Sequence, residues 1–393
     1  MKPADVSVTE VRSVTEIGTD TWNGLARGDG FYLGYPWTAW AETDPSFHTT
    51  YLVARDDSGA VLAAVATYLW DGAAVPSMNL AYSPSHIAEE NVGRTLSAGE
   101  HKAFLPALLV GSRAGYHGGV VVDARVDGRR RQELLVAVFA EVEALAGRLG
   151  AASVAMLYVP TDNAIAYREA WNRAVGPSAG PLLAPLSAQA VFRVPSGAPV
   201  TATASRANRR EWRREQNRYT AAVDRVETVP LSACIDAIAP LLGATQRKYG
   251  APDTDADMRD YLASQVPVLD PYSHVLLEHS GETVVGFSMS YLWPDGVYVR
   301  TAGFDGRAAP YSYFNLTMYR QLDLAAARGL PTVNLGAGTY RAKRARGAEP
   351  LWTAGLVRPP AGTSAELLHA FTIPGSDHEQ AVQAWGDPAR TVS

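Results

Sequence analysis

The sequence predicts an α/β protein built from two copies of one unit. Two β-hairpin patterns, over 48–70 and 273–293, align at their Ser-Gly turns and both end in Tyr-Leu-Trp. Two further segments, 140–157 and 320–336, each show a helical pattern, a glycine-containing break and a strand. Such self-similarity, with a period of roughly 220 residues, predicts both that there are two domains and that the two share one fold.

The length and composition agree with two domains. A chain of 393 residues exceeds one ordinary core, and a hydrophobic fraction of 47% is ample for two. We predict an N-terminal domain over 1–190 and a linker or crossing strand over 191–204, which is rich in Pro, Gly, Ala and Ser. A C-terminal domain over 205–360 and a C-terminal tail over 361–393 follow.

The charge and the cysteine content exclude several classes of protein. A net charge of −5 argues against a protein that coats nucleic acid, and we expect no DNA partner. The single cysteine, Cys234, excludes an internal disulfide, and no Cys/His spacing indicates a metal site. No apolar run approaches the roughly 18 residues of a membrane span. We therefore expect a cytoplasmic protein without a membrane span, a metal or a tightly bound cofactor.

The N-terminal domain begins with an alternating apolar pattern that predicts an entry strand over 6–11, followed by a short helix. An aromatic cluster at 31–40 then either closes the core or forms a wall beside a ligand, and core packing is favoured. The region after the first hairpin is predicted to be a loop. There, His86, Glu89 and Glu90 could bind a metal, but a solvated loop is the favoured interpretation. The glycine-rich run 113–119 fits a strand entrance or a close approach to a ligand equally well.

An arginine-rich helix, SRANRREWRREQNR over 205–218, opens the C-terminal domain. Six arginines stand against two glutamates there, which gives a local charge of +4 (6 − 2) in an acidic protein. Like charges at helical spacing repel unless an anion neutralises them, so the helix either binds phosphate or is a solvated face. The candidate phosphate ligands on its basic arc are Arg206, Arg209, Arg210 and Arg213. The next helix places Cys234 in its apolar stripe, which predicts a core residue and not a nucleophile.

The most informative stretch, 298–350, shows a strand, a glycine-bearing loop, a helix, a strand and a basic turn. Where a strand is followed by a loop and then a helix, the backbone N–H groups at the start of the helix are free to bind an anion. Four side chains approach this loop: Arg307, Tyr311, Tyr313 and Asn315. The basic turn contributes Arg341, Lys343, Arg344 and Arg346. No GxxxxGK[ST], dinucleotide GxGxxG or HExxH motif occurs, so the corresponding chemistries lack support.

Together, the repeat and several motifs resemble the FemAB-like branch of the GNAT-fold acyltransferases, which is associated with peptidoglycan biosynthesis. The motifs are SRANRREWRRE, RKYG, VGFSMSYLW, AGFDGRAAPYSYFNL and NLGAGTYRAKRARGAEP. The resemblance covers residues 200–355 well and 1–190 weakly. It implies two tandem GNAT-like domains, each a mixed sheet flanked by helices. It also implies an aminoacyl-tRNA donor that is used to form an amide bond on an amine acceptor.

The sequence departs from the family pattern at two places. Residues 305–309 match the acyl-CoA pyrophosphate-binding loop only in part, because the second glycine of that loop is missing. The helical-hairpin arm of some cell-wall members has no room between Ser205 and Leu241. A small-molecule amine, as in natural product biosynthesis, therefore fits at least as well as a cell-wall precursor.

We assign provisional roles on this basis. Asp305 and Tyr313 would relay the proton, although Asp305 could equally cap the following helix. Arg307, Lys343 and Arg346 would join the four helix arginines in binding the donor's phosphates. Tyr311, Asn315 and Tyr340 would contact the acceptor. An acyl-CoA donor, and a non-catalytic protein that only binds a ligand, remain the alternatives.

Overall fold

The computed structural model describes residues 6–75, 83–195 and 206–387. The chain forms two compact units, which we call the N-terminal unit (1–187 with 352–380) and the C-terminal unit (188–351 with 381–393). The predicted domains were continuous in sequence, whereas these units exchange segments. The division falls inside two strands and a C-terminal helix. Residues 196–205, most of the predicted linker, lie outside the described residues.

The described residues contain thirteen strands and fourteen α-helices. The strands are β1 (Val6–Val11), β2 (His48–Asp56), β3 (Val61–Trp70), β4 (Ala107–Val110), β5 (Val121–Val122), β6 (Ser153–Pro160), β7 (Leu182–Arg193), β8 (Arg225–Val229), β9 (Ser273–Ser280), β10 (Thr283–Trp293), β11 (Gly296–Phe304), β12 (Thr332–Asn334) and β13 (Glu349–Arg358). The helices are α1 (Thr19–Leu25), α2 (Tyr35–Glu42), α3 (Pro84–Val92), α4 (Ala98–Ala103), α5 (Gly128–Arg148), α6 (Thr161–Val175), α7 (Arg206–Thr220), α8 (Ile235–Lys248), α9 (Asp255–Leu269), α10 (Ser312–Phe314), α11 (Arg320–Ala327), α12 (Tyr340–Ala345), α13 (Ala365–Ala370) and α14 (Ser376–Trp385). A π-helical turn, Asn315–Tyr319, joins α10 to α11.

The sheet of the N-terminal unit has the strand order β1-β2-β3-β4-β6-β13. Its pairs are antiparallel except β4 and β6, which run parallel from Ala107 opposite Ser153 to Leu109 opposite Ala155. Helix α5 covers β1 and β2 and packs against α6. It buries an apolar face whose residues recur at three- and four-residue spacing, which is the helical period.

The sheet of the C-terminal unit has the order β7-β12-β11-β10-β9-β8. Helix α8 packs on β10 and β11, with α9 beside it. Strands β11 and β12 pair in parallel at only two positions, the last being Tyr298 with Asn334. Strand β12 ends there, while β11 continues to Phe304. Strand β11 is therefore not paired with β12 where it leads into the loop that follows Phe304.

Several predicted elements are confirmed. The entry strand is β1, and both repeated hairpins form antiparallel pairs, β2 with β3 and β9 with β10. The aromatic cluster is largely core, since Phe31, Tyr32, Trp37 and Trp40 are buried. Cys234 is also buried, and burial raises the pKa of its thiol to about 12, which disfavours a nucleophilic thiolate.

The predicted loop around His86 is wrong, because residues 84–92 form helix α3. Pro84 stands in its first turn, and Gly93 ends it in the left-handed conformation at φ 68°. Ile87 and Ala88 are buried. The sequence conceals this helix because only two apolar side chains mark its inner face. Among the described residues, no cluster of three His, Cys, Asp or Glu side chains is suited to a metal ion.

Among the described residues, no helix reaches both the length and the apolarity of a membrane-spanning helix.

Candidate active site

Helix α7 presents a basic outer face because its other face is anchored in the C-terminal unit. Trp212, Glu215 and Tyr219 lie three and four positions apart and are buried. The arginines point away from this stripe: Arg209 is half-buried, whereas Arg210, Arg213, Arg214 and Arg218 are exposed. Arg214 pairs with Glu211. Arg206 begins the helix, and its side chain lies outside what the structure describes.

The anchor of α7 is a buried ion pair between Glu215 and Arg346. The Nε atom of Arg346 also donates to the hydroxyl of Tyr319 at 3.0 Å, and its guanidinium lies 3.5 Å from the ring centre of Phe314. Arg346 was expected to bind a phosphate. The guanidinium instead faces inward, because a buried carboxylate requires a paired cation.

The loop after β11 is held in shape by its own acidic residue, Asp305. The carboxylate of Asp305 accepts the backbone N–H of Arg307 at 2.7 Å and the guanidinium of the same residue at 2.6 Å. These hydrogen bonds from Arg307 hold the pKa of Asp305 below its usual range. Asp305 thus caps a turn in the loop and not the following helix, and Arg307 remains largely exposed.

A buried carboxylate that sequence analysis missed, Glu278, occupies the inner side of this loop. It lies on β9, accepts the backbone N–H of Ala309 at 2.6 Å, and accepts the hydroxyl of Tyr219 at 3.2 Å. One of the loop's N–H groups is therefore already bound to an internal anion. The available signal was an acidic residue within an apolar strand, VLLEHS.

The helix start brings two of the predicted residues, Tyr311 and Asn315, together. Tyr311 adopts the left-handed conformation at φ 69°, which is unusual for a residue with a side chain. Its carbonyl accepts both the backbone N–H of Asn315, at 3.0 Å, and the Asn315 side-chain amide, at 2.9 Å. Its hydroxyl lies 3.3 Å from the guanidinium of Arg218. Helix α7 and the loop therefore form one continuous surface.

Tyr313 is half-buried beside this surface. Burial raises the pKa of its phenol, and the nearby phenol of Tyr249 adds to the rise, while Thr339 and Arg346 oppose it. Tyr249 is 77% exposed at the end of α8, where it follows two basic residues. This tyrosine belongs to the RKYG motif, and no role was predicted for it from the sequence.

Two predicted ligands turn into the core of the unit. The ammonium of Lys343 donates to the carbonyls of Leu335 at 2.9 Å, Gly336 at 3.2 Å and Ala337 at 2.8 Å. It is buried, so it holds the segment after β12 where a phosphate ligand was expected. Tyr340, expected at the acceptor, is also buried and packs edge to face on Trp385.

Comparison with known proteins agrees with this architecture. Residues 206–344 match the family model of the acetyltransferase (GNAT) domain. No curated protein matches the chain.

Two solved structures share the fold over most of the chain. A tandem GNAT protein from the clavulanic acid biosynthesis pathway is 11% identical, with a TM-score of 0.50, and the match covers 91% of this chain and 99% of that one. FemX is 10% identical, with a TM-score of 0.58, over 89% of this chain and 97% of its own. At these identities the likeness concerns the fold, which confirms the expected FemAB-like tandem GNAT architecture. The chain thus has the tandem GNAT fold, and its residues 206–344 match the acetyltransferase (GNAT) domain family.

Proposed function

We propose that this protein transfers an aminoacyl group from aminoacyl-tRNA to an amine acceptor and so forms an amide bond. The acceptor is a small molecule or a cell-wall precursor. The observation that carries the proposal is the exposed arginine face of α7, which reaches the loop through the contact of Arg218 with Tyr311. We place the reaction in the cytoplasm, where charged tRNA is available.

The arginine face suits the phosphate backbone of RNA. Arg210, Arg213 and Arg218 are exposed, whereas the two glutamates of the helix are paired with Arg346 and Arg214. The positive charge is therefore presented outward, where it attracts a polyanion despite the net negative charge of the chain. The exposed ring of Tyr249 offers a surface on which a base of the single-stranded acceptor end stacks.

In the proposed reaction, the acceptor amine attacks the carbonyl carbon of the aminoacyl ester. A C–N bond forms, the C–O bond to the terminal ribose breaks, and the amine loses a proton while the ribose oxygen gains one. Tyr313 carries its phenolic proton at neutral pH, and burial raises its pKa further. We assign it as the proton relay: its hydroxyl donates to the ribose oxygen, and the same oxygen takes the proton that the amine loses. Asp305 stays ionised, bound to Arg307, and positions the loop. Asn315 would fix the helix start beside the acceptor.

A second candidate is an acyl-CoA-dependent N-acyltransferase. It is favoured by the match of residues 206–344 to the acetyltransferase domain family. Arg307 would then bind the pyrophosphate and would exchange its carboxylate partner, Asp305, for the ligand.

The tRNA donor is tested by binding at several salt concentrations. We expect charged tRNA to bind, and the double variant Arg210→Ala/Arg213→Ala to weaken binding and to lower the slope of log Kd against log salt by about 1 per arginine. Arg129→Ala, which removes an exposed arginine from α5 of the other unit, is the matched control and should change neither quantity. Unaltered binding by the double variant, or no binding by the wild type, would contradict the tRNA donor.

Turnover separates the remaining possibilities. The protein is incubated with candidate amines and either charged tRNA or acyl-CoA, and products are identified by mass spectrometry. Acylated amine formed only with charged tRNA supports the proposal, whereas product formed only with acyl-CoA supports the second candidate. Ligand binding without any acylated product would leave a non-catalytic binding protein.

A further inference from the structure

The loop after β11, residues 305–311, uses most of its backbone N–H groups inside the protein. Four of its residues do so, namely Asp305, Arg307, Ala308 and Ala309. Two of these N–H groups donate to backbone carbonyls at 2.9 and 3.3 Å, and two donate to carboxylates at 2.7 and 2.6 Å. Pro310 has no N–H group. At most the N–H groups of Gly306 and Tyr311 are left for a ligand.

The helix that follows the loop adds little to an anion site. Helix α10 has three residues, and the N–H group of its first residue, Ser312, donates to the carbonyl of Ala309 at 3.1 Å. The π-helical turn comes next. An anion at a helix start relies on several free N–H groups in a regular first turn. The segment from 305 to 314 therefore offers a phosphate group few donors.

The two carboxylates in the loop come from different elements. Asp305 belongs to the loop itself and holds the guanidinium of Arg307 through two hydrogen bonds, at 2.6 and 3.1 Å. Glu278 belongs to β9 and is 1% exposed. One of its oxygens accepts the N–H group of Ala309, and the other accepts the hydroxyl of Tyr219. Both groups that contact Glu278 are donors, so both of its oxygens accept, as those of an ionised carboxylate do.

These two negative charges lie at the loop that would hold the pyrophosphate of acyl-CoA in the second candidate reaction. Like charges repel strongly where one of them is buried, because little water screens them. Arg307 is the one cationic residue of the loop, and its charge is already compensated by Asp305. Repulsive elements of this kind are a common means of rejecting a wrong ligand.

We propose that Glu278 and Asp305 determine the donor specificity of the C-terminal unit by excluding a donor that places a pyrophosphate at this loop, as acyl-CoA does. Aminoacyl-tRNA carries phosphodiesters and no pyrophosphate, and its phosphates would lie on the exposed arginine face of α7. This inference rests on the proposed function, because it concerns the donor of the same site.

The test measures the binding of dephospho-coenzyme A, whose only phosphates are its pyrophosphate, to the full-length protein by ligand-observed NMR. We expect the wild type to bind it with a Kd of about 1 mM or weaker. The double variant Glu278→Gln/Asp305→Asn keeps the shapes of both side chains but removes both charges, so it should bind at least about tenfold more tightly. Pantetheine, which lacks the pyrophosphate, should show no such gain. Micromolar binding by the wild type, or no gain in the double variant, would overturn the proposal.

Two further variants complete the test. Asp305→Asn alone changes a side chain that is not buried, so it serves if substitution of Glu278 prevents folding, and it should tighten binding by about threefold. Asp260→Asn removes an exposed carboxylate from α9 of the same unit and should leave the affinity unchanged. An equal gain in Asp260→Asn would show that net charge decides, and would contradict the role of the two loop carboxylates.

Turnover with charged tRNA, measured on the same wild-type sample, separates this inference from the proposed function. Weak binding of dephospho-coenzyme A together with no product from charged tRNA would contradict the proposed function and support the exclusion of the pyrophosphate. Tight binding together with product from charged tRNA would overturn the exclusion and leave the proposed function standing.

Discussion

Lys343 and Arg346 show how the role of a cation depends on the acceptors that surround it. Both lie in the basic turn, and their exposed neighbour Arg341 has similar chemistry in the sequence. Lys343 is surrounded by three carbonyls, and Arg346 by a carboxylate and a phenol. Each buried charge is therefore compensated inside the unit, as burial requires.

We expect Lys343→Met to lower the free energy of unfolding by about 2–4 kcal/mol, because three carbonyls lose a charged donor. Urea denaturation measures this. Arg341→Met, a charge removal at an exposed site of the same helix, should stay within about 0.5 kcal/mol. If Lys343→Met kept full stability but lost donor binding, Lys343 would be a phosphate ligand after all.

Tyr313→Phe tests the proposed proton donor. It should lower kcat by about 10²- to 10⁴-fold and leave KM nearly unchanged, since only the hydroxyl is lost. Because the pKa of Tyr313 is raised above its ordinary value of 10.0, the phenol stays protonated below pH 10. The wild-type rate should therefore lose the contribution of this group only at a higher pH than the pH at which an ordinary phenol ionises. A kcat equal to that of the wild type would remove Tyr313 from the mechanism.

At the level of elements, helix α7 combines a buried anchor with an exposed charged face. Glu215 is 2% exposed and its partner Arg346 11%, whereas Glu211 and Arg214 are 43% and 54% exposed. Removing one partner of a buried pair leaves an uncompensated charge, while an exposed pair contributes little. The two glutamates thus form a matched comparison on one helix.

Glu215→Gln should lower the free energy of unfolding by about 3 kcal/mol or more. Glu211→Gln should lower it by less than about 1 kcal/mol, because water screens that pair. Chemical denaturation of both variants gives the comparison. Similar small losses in the two would mean that the inner ion pair does not anchor the helix.

At the level of the whole molecule, each unit is completed by a segment from the far end of the chain. Residues 352–380 belong to the N-terminal unit, where β13 pairs with β6 from Thr353 to Arg358. Helix α13 follows and packs against α3. The amide of Asn91 donates to the carbonyl of Ala370 at 2.8 Å, and the ring of Phe371 packs on Phe104. The segment predicted as a tail therefore completes a core.

We expect Asn91→Ala to release this segment locally. Amide hydrogen exchange over 365–371 should become faster, and the free energy of unfolding should fall by about 1–2 kcal/mol for the lost hydrogen bonding. Arg94→Ala removes only exposed ion pairs with Glu100 and Glu366, so a smaller effect is expected. If exchange over 365–371 stayed at the wild-type rate in Asn91→Ala, that amide would not hold the segment.

The sequence by itself determined the α/β class, the duplicated hairpins, the basic helix and the loop that leads into a helix. These features rest on local periodicity, on turn residues and on repetition, all of which act between near neighbours in the chain. Only the tertiary structure decided that residues 352–380 complete the N-terminal unit and that Lys343 and Arg346 face inward. It also revealed Glu278 beneath the loop. Apart from the contacts of Lys343, which reach back six to eight residues, those outcomes depend on contacts between residues far apart in sequence. The spacing of residues along the chain does not predict such contacts.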